Sequence, residues 1–243
     1  MTTSLALEKV CVTLRGRRVL DELSLVVGAG EIRALIGLNG AGKTTAQRVL
    51  LGMLRPASGR VRVLGQSLGA ERRELWRRVG HLVETPFCYP ELTPRENVEC
   101  SAQLHQAELG ATRRECARLA EVLGLRPWLD TPVRRLSLGS RQKVGLICAL
   151  AHAPDLVVLD EPTNSLDPLA VVAFRNELDA VRSRGGTVLL ASHHFDELAR
   201  TADWVDVLHR GRIVDTLRPD GGDLENTFFK TILAVDQALQ GAS

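Results

Sequence analysis

The sequence predicts an α/β fold in which helices flank a buried parallel sheet, with a small antiparallel β-subdomain and an inserted helical subdomain. Short apolar runs alternate with amphipathic helical segments towards both ends of the chain, which is typical of a parallel sheet. The middle of the chain, from about residue 71 to residue 151, has mostly helical spacing. With 44% hydrophobic residues among 243, the chain is long and apolar enough to bury a substantial core.

Strand patterns come first along the chain. Gly28 and Gly30 mark the turn before the third predicted strand, and Pro56 and Gly59 end the helix that follows this strand. The predicted strands are LALEKVCVTL, RVLDELSLVV and EIRALIG, followed by the helix AGKTTAQRVLLGML and the strand GRVRVLG. The first strands form hairpins and so predict the antiparallel subdomain.

Helical patterns dominate the middle and alternate with strands afterwards. Apolar residues recur every three or four positions in RENVECSAQLHQAE and RRECARLAEVLGL, and VGLICALAHAP continues the helical spacing. The later elements are the strand DLVVLDE, the helix LAVVAFRNELDAVRSR, the strand GTVLLAS, the helix FDELARTA and the hairpin WVDVLHRGRIVDTL. A loop at 218–223 precedes a short terminal helix. The compact apolar strands are those of a sheet buried on both faces.

Composition excludes several classes of protein. The formal net charge is only +2, from 31 basic and 29 acidic residues, so we expect no nucleic-acid partner. The five scattered cysteines contain no C-x-x-C pair, which favours reduced core thiols over a zinc site or a disulfide framework. Acids appear too early for a signal peptide, and no apolar run approaches the ~20 residues of a membrane span. We therefore expect a cytoplasmic chain.

A phosphate-binding loop is predicted at GLNGAGKTT, residues 37–45. Gly37, Gly42, Lys43 and Thr44 satisfy G-x-x-x-x-G-K-[ST], an apolar strand ends at Gly37 and a helix begins near Lys43. Glycines let several backbone N–H groups face one anion, and the helix N-terminus adds positive potential. Lys43 would bridge the β- and γ-phosphates, Thr44 would ligate Mg²⁺, and Thr45 would bind the α-phosphate. The predicted nucleotide-binding loop comprises Gly37, Asn39, Gly40, Ala41, Gly42, Lys43, Thr44 and Thr45.

Two consecutive carboxylates end the strand LVVLDEP, residues 156–162. Parallel sheets bind ligands at the carboxyl ends of their strands, so both side chains are expected near the phosphates. Asp160 suits Mg²⁺ binding through its water shell, and Glu161 suits polarisation of the attacking water. Alone, a strand ending in surface acids would be ordinary; with the loop at 37–45, it predicts nucleotide hydrolysis.

In the order GLNGAGKTT, LSLGSRQK, LVVLDEPTNSLDP and LLASHH, the chain resembles the ATP-binding cassette of ABC transporters over essentially its whole length. The resemblance implies a P-loop NTPase domain over residues 1–220, with a helical insertion at about 85–150 and a short helical tail at 221–243. It implies ATP and Mg²⁺ as ligands, and a dimer that encloses two nucleotides head to tail.

The resemblance also assigns the signature segment LSLGSRQK, residues 136–143, to the nucleotide bound by the other subunit. Ser137 would offer its hydroxyl group and Gly139 its backbone N–H, with the positive end of the following helix. The family's usual L-S-G-G-Q differs here, because Leu138 replaces the first glycine and Ser140 replaces the glutamine.

Further positions carry over from the family one at a time. Ser165 and Asp167 resemble the loop that lines the subunit boundary, and His193 matches the switch histidine that contacts the γ-phosphate. Alone, the pair His193–His194 would suggest a pH switch, a metal ligand or, more often, a plain loop. Glu84 stands where a glutamine usually faces Mg²⁺ or the water. Leu14 stands where an aromatic residue usually stacks on adenine, and would give apolar contact only.

The resemblance implies an ATP-hydrolysing subunit that powers a separate membrane permease. The S-L-G signature, Glu84 and the PTNSLDP context resemble subunits of bacterial exporters for peptide antibiotics and drugs, which implies export of a drug, peptide antibiotic or similar compound. Its partners would be a second copy of itself, or a paralogous ATPase subunit, and the permease that holds it at the inner face of the cell membrane. One alternative is a cassette ATPase that drives a soluble assembly. Another is a nucleotide-dependent regulatory module that hardly hydrolyses ATP, which Leu138, Ser140 and Glu84 keep open.

Overall fold

The computed structural model describes residues 3–68, 73–86 and 88–241, which fall into two compact units. The first unit comprises Met1–Gly69 and Leu189–Ser243, and the second comprises Ala70–Val188. The start of the predicted helix-rich stretch, at residues 71 and 72, lies outside the described residues. No described helix combines the length and the apolar character needed to cross a membrane.

The N-terminal part of the first unit follows the predicted order of strands and helix. Its elements are β1 (Thr3–Leu14), β2 (Arg17–Gly28), β3 (Ile32–Ile36), α1 (Lys43–Leu50), β4 (Ser58–Val63) and β5 (Gln66–Ser67). Antiparallel pairing in the order β2-β1-β4-β5 forms the predicted antiparallel sheet.

The second unit is mostly helical. Its elements are α2 (Arg73–Trp76), β6 (Val79–Leu82), α3 (Pro94–Leu104), α4 (Leu109–Val122), α5 (Leu138–Leu150), β7 (Leu156–Asp160) and α6 (Pro168–Ser183), with single 3₁₀ turns at Arg126–Trp128 and Val133–Arg135. A capping box starts α3, because Thr93 and Glu96 exchange hydrogen bonds between side chain and backbone, and Pro94 occupies the first helical position. These local signals explain why this helix begins where its periodic pattern begins.

Within this stretch, which the sequence predicts to be mostly helical, β6 is a strand that the sequence analysis did not identify. Val79–Leu82 forms a strand that pairs in parallel with Leu156–Leu159 of β7. Four residues are too few to show a periodicity, and pairing with β7 decides their conformation. Gly80 is needed at this place, because a Cβ atom there would overlap with the carbonyl oxygen of Ala149.

The chain enters the first unit again through β8. The remaining elements are β8 (Thr187–Ala191), α7 (Phe195–Thr201), β9 (Trp204–His209), β10 (Arg212–Leu217) and α8 (Leu224–Gly241). In the order β10-β9-β3-β8, β3 pairs in parallel with β9, whereas β9 and β10 form the predicted hairpin. The side chains of β3 and β9 are almost all buried, and those of β9 include the polar residues Asp206 and His209.

The terminal helix α8 has 18 residues, so it is longer than the sequence pattern indicated. Leu224, Phe228 and Ile232, spaced four residues apart, are all buried on one face. Asp236 continues that spacing and accepts a hydrogen bond from the His209 side chain at 2.9 Å. Tertiary contacts along this face therefore stabilise α8.

All five cysteines are free thiols, as predicted. Burial raises the pKa of Cys88 to about 11 and raises the pKa of Cys148 well above its usual range. Thiols with raised pKa values are weak nucleophiles, so these cysteines pack as small apolar side chains.

Candidate functional site

In the first unit, the predicted phosphate loop connects β3 to α1. Gly40 and Gly42 have φ angles of 79° and 113°, which favour glycine because other residues carry a Cβ atom. A Cβ atom on Gly42 would come within 2.8 Å of a Leu20 methyl carbon and 3.1 Å of the Val19 carbonyl oxygen. A Cβ atom on Gly37 would overlap with the backbone of the strand beside it. Backbone conformation thus favours glycine at position 40, packing requires it at position 37, and both apply at position 42.

The start of α1 has the properties of an anion site. Its N-cap is Gly42, which has no side chain to accept hydrogen bonds from the first turn, and residues 43–46 include no acid to neutralise the helix end. The Lys43 side chain folds back over the loop, and its Nζ donates to the Gly37 carbonyl oxygen at 2.6 Å. Positive charge and backbone N–H groups therefore converge where the sequence predicts phosphate.

The phosphate loop is held by the turn between β9 and β10. Gly211 donates its backbone N–H to the Ala41 carbonyl oxygen at 3.1 Å, and its own carbonyl oxygen accepts from the Asp21 N–H at 3.0 Å. The Asp21 carboxylate in turn accepts hydrogen bonds from the Arg212 guanidinium, at 2.6 and 2.9 Å, which lowers the pKa of Asp21. Hydrogen bonds from β2 to the β9–β10 turn, and from this turn to the phosphate loop, thus hold the loop in place.

The predicted switch histidine lies in the short connection between β8 and α7. Ser192 is buried, and its hydroxyl oxygen accepts a hydrogen bond from the His194 N–H at 3.1 Å. His193 is exposed, and its ring centroid lies 4.2 Å from that of His194. His193 and the first residues of the phosphate loop, Gly37 and Asn39, line one cavity of about 650 Å³. The structure therefore brings these predicted site residues together.

Leu14 is the last residue of β1, directly before a tight turn at Arg15 and Gly16. Both turn residues have positive φ angles, 49° and 78°, and Leu14 pairs with Arg17 of β2 across the turn. The Leu14 side chain is half-buried. Its contribution to nucleotide binding stays a prediction.

In the second unit, the two predicted carboxylates lie at the end of β7. Every residue of this strand is buried, and Asp160 retains only 6% of its exposure. Glu161 follows with a φ of 47°, an uncommon conformation for a residue with a Cβ atom. Nine other described non-glycine residues also have positive φ angles, and the catalytic role of Glu161 stays a prediction.

The signature segment begins α5. Ser137 is the N-cap, and its hydroxyl oxygen accepts a hydrogen bond from the Ser140 N–H at 3.1 Å. The Ser137 hydroxyl also donates to the Ser140 hydroxyl oxygen at 3.0 Å. Gly139 packs closely on the loop between β7 and α6, and a Cβ atom on Gly139 would overlap with the Ser165 carbonyl oxygen. The signature segment and the predicted boundary loop are therefore adjacent within one chain.

Two further residues tie α5 to that loop, and the sequence interpretation missed both. The Gln142 amide donates to the carbonyl oxygens of Glu161 and Pro162, at 3.3 and 3.0 Å. Lys143 Nζ lies 2.7 Å from the Asp167 carboxylate and lowers the pKa of Asp167, which also accepts from the Ala170 N–H as the N-cap of α6. Gln142 is buried on the apolar face of α5. A neutral polar residue among apolar ones was the signal by which the sequence could have identified Gln142 as a structural contact.

Glu84 lies two residues beyond β6, is exposed, and has a φ of 68°. Within the second unit, the structure thus groups the signature segment, the boundary loop and the backbone of Glu161. Within the first unit, it groups the phosphate loop and the switch histidine.

A glycine loop between a buried strand and a helix, with lysine as the first helical residue, defines a P-loop nucleotide-binding protein. The family model described as "ABC transporter" matches residues 20–164, and one described as "AAA domain, putative AbiEii toxin, Type IV TA system" matches the shorter stretch 129–200. The chain belongs to the ABC transporter family, and it is the ATP-binding, ATP-hydrolysing subunit of such a transporter.

Similar proteins agree with this assignment. The ABC transporter ATP-binding protein YhcH of Bacillus subtilis is 34% identical over 232 residues, which are 94% of this chain and 75% of YhcH. The bacitracin transport ATP-binding protein BcrA of Bacillus licheniformis is 34% identical over 83% of this chain, which spans only 65% of BcrA. The lantibiotic transport ATP-binding protein SrtF of Streptococcus pyogenes is 32% identical over 89% of this chain and 92% of SrtF.

Solved structures support the same fold. A structure described as an ATP-binding subunit of an ABC transporter superposes with a TM-score of 0.88 and 28% identity, covering 95% of this chain and 100% of that one. An ATP-binding cassette in its ADP conformation superposes with a TM-score of 0.77 and 23% identity, covering 94% and 95%. The α/β fold of this family is therefore confirmed.

Proposed function

We propose that this ATPase subunit powers export of a peptide antibiotic, drug or similar compound through a separate membrane permease. ATP-binding subunits of ABC transporters work with membrane permeases, and two similar proteins are named for bacitracin and lantibiotic transport. The observation that carries the ATPase part is the folding of Lys43 across a glycine loop at an uncapped helix start. The permease would hold the subunit at the cytoplasmic face of the membrane.

The phosphate loop would bind ATP through residues 37–45. Lys43 would exchange its hydrogen bond with the Gly37 carbonyl oxygen for the β- and γ-phosphates. Thr44 and the buried Asp160 offer the oxygen ligands that Mg²⁺ prefers, with Glu84 as a further carboxylate, so these residues fit the ion. When bound, Mg²⁺ would neutralise charge on the phosphates. Leu14 would contact the base through apolar surface alone.

Hydrolysis would depend on Glu161 and His193. Glu161 would orient and polarise the attacking water, whereas His193 would hydrogen-bond the γ-phosphate and align that water. The constrained backbone at Glu161, tied to Gln142 through its carbonyl oxygen, supports a role that needs a fixed carboxylate position.

Two subunits would close head to tail over two ATP molecules. The N-terminus of α5, with Ser137 and Gly139, would face the γ-phosphate bound by the partner, and the loop with Ser165 and Asp167 would line the subunit boundary. Leu138 supports this proposal, because it exposes 65% of its surface at the start of α5. We further propose that residues 1–220 form the ATP-binding domain, with the helical insertion at about 85–150 receiving the permease and residues 221–243 forming a tail.

The head-to-tail arrangement has a direct test with two complementary variants. Leu138→Asp places a carboxylate at an exposed position, so it should block closure on the partner's ATP without disturbing nucleotide binding by its own loop. Lys43→Ala should weaken binding by its own loop. In a mixed dimer of Leu138→Asp and Lys43→Ala, one composite site receives both changes and the other receives neither.

The mixture should therefore recover ATPase activity that each variant lacks alone, and ATP-driven dimerisation should recover with it. Lys230→Ala, on the exposed surface of α8, is the control for loss of a lysine. Full activity and normal dimerisation of Leu138→Asp alone would contradict the arrangement in trans. Transport by the reconstituted permease complex, with bacitracin or a lantibiotic as probe, tests the cargo separately.

A further inference from the structure

Three phenylalanine rings form a cluster between α7 and α8. The Phe195 ring lies 5.2 Å from that of Phe228 and 6.2 Å from that of Phe229, measured between centroids. Phe228 and Phe229 lie 5.2 Å apart in an edge-to-face arrangement. These are the separations and tilts that aromatic pairs prefer, so the cluster stabilises one placement of Phe195.

Phe195 is the first residue of α7 and follows directly on His193 and His194. Two residues span at most about 7 Å of chain, so a shift of Phe195 is transmitted to His193. His194 is the N-cap of α7, and its N–H is held by the buried Ser192 hydroxyl oxygen. His193 and His194 therefore lie between two fixed points of the chain, Ser192 and Phe195.

The helix that carries the other two rings is itself anchored along its length. Thr231 lies 3.3 Å from the Asp215 carboxylate, and Asp236 accepts from His209 and Arg210, at 2.9 and 2.8 Å. Phe228 is buried in the face that packs on this unit. Helix α8 thus presents its rings to Phe195 from a fixed position.

The same rings line the cavity of about 650 Å³ that also includes Gly37, Asn39 and His193. We propose that Phe228 and Phe229 are positioning residues for His193, acting through Phe195, so that the terminal helix controls ATP turnover. This inference rests on the role proposed above for His193. It adds a function for residues that neither the phosphate loop nor the signature segment explains.

Phe229 gives the cleaner test of the two rings. It is 43% exposed, so its truncation removes little buried surface, whereas Phe228 is 2% exposed and its truncation would disturb the core. Leu233 lies one turn further along α8, is 60% exposed, and belongs to neither the ring cluster nor the cavity lining. Leu233→Ala is therefore the matched control.

We expect Phe229→Ala to lower kcat about five-fold with unchanged KM for ATP, as the loss of aromatic contacts worth about 1 kcal/mol predicts. Phe229→Tyr should keep kcat near the wild-type value, because its ring preserves the contacts, and Leu233→Ala should do the same. Thermal melting checks that all variants fold. Phe195→Leu gives an independent second variant with the same expected loss. If Phe229→Ala and Phe195→Leu both turn over ATP like Leu233→Ala, the inference is wrong.

Histidine ring NMR separates this inference from the proposed function. The chain has six histidines, and comparison with His193→Ala assigns the His193 signal. Phe229→Ala should shift or broaden that signal, whereas Leu233→Ala should leave it in place. If His193→Ala hydrolyses ATP at the wild-type rate, the proposed role of His193 fails. If the His193 signal is identical in Phe229→Ala and Leu233→Ala, the positioning inference fails, whatever the rate of ATP hydrolysis by His193→Ala.

Discussion

Gly139, in the first turn of α5, packs against the carbonyl oxygen of Ser165 so closely that a Cβ atom would overlap with it. The contact explains within one chain why glycine occurs here, independently of any nucleotide. It also means that a substitution of Gly139 alters the Ser165 loop of the same subunit, so an exposed neighbour such as Leu138 is the better probe of contacts with a partner.

We expect Gly139→Ala to lower the free energy of unfolding by about 1–3 kcal/mol, because overpacking forces the backbone apart. Chemical denaturation measures the change. Leu138→Ala, whose side chain is 65% exposed, should stay within about 0.5 kcal/mol of the wild type. Equal stability of the two variants would show that the loop yields without cost.

Glu161→Gln should abolish turnover but retain ATP, because the amide has the shape of the carboxylate but cannot polarise water as a base does. We expect kcat to fall at least about 10²-fold. Steady-state ATPase assays and ATP-binding measurements test this pair of outcomes, with the exposed Glu121→Gln as control. Hydrolysis by Glu161→Gln at near the wild-type rate would assign the catalytic carboxylate elsewhere.

Gln142→Ala should lower both the stability of the protein and its rate of ATP hydrolysis. The change leaves the carbonyl oxygens of Glu161 and Pro162 without the Gln142 amide, at a cost of about 1–3 kcal/mol. The loss of restraint on Glu161 should reduce kcat more than it changes KM for ATP. Gln103→Ala, at an exposed position of α3, controls for the loss of a glutamine. A stability loss without any fall in kcat would restrict Gln142 to folding.

His152 predicts a loss of stability in acid. Burial, reinforced by the neighbouring His105 and His81, lowers the pKa of His152 to about 3, and its ring stacks on that of His105 at 4.0 Å. Between its ordinary pKa of 6.5 and about 3, the unfolded chain binds a proton that the folded chain does not. The free energy of unfolding should therefore fall as pH decreases through this window, by up to about 1.4 kcal/mol per pH unit for this group.

Denaturation at a series of pH values tests that expectation. His152→Phe keeps an aromatic ring beside His105 but cannot bind a proton, so its stability should depend less on pH below about 6.5. Parallel pH profiles of His152→Phe and the wild type would contradict the assignment.

The sequence by itself determined the phosphate loop and most of the elements. The loop at 37–45 depends on local properties, since glycines allow its backbone angles and Lys43 starts the helix that follows the strand. Continuous apolar runs predicted β7 and β8, which are buried along their whole length, and the pattern of LAVVAFRNELDAVRSR predicted α6. The order of motifs likewise sufficed for the family resemblance, which the comparisons confirmed.

Only the tertiary structure decided the features that join distant parts of the chain. Strand β6 exists because its backbone pairs with β7, more than 70 residues away, and Gln142 is buried because Glu161 and Pro162 supply acceptors for its amide. Phe195 meets Phe228 only because α8 folds back onto this unit. Such contacts depend on which distant parts of the chain come together in space. Neither the periodicity of a segment nor the spacing of its motifs specifies these pairings, so only the packed structure shows them.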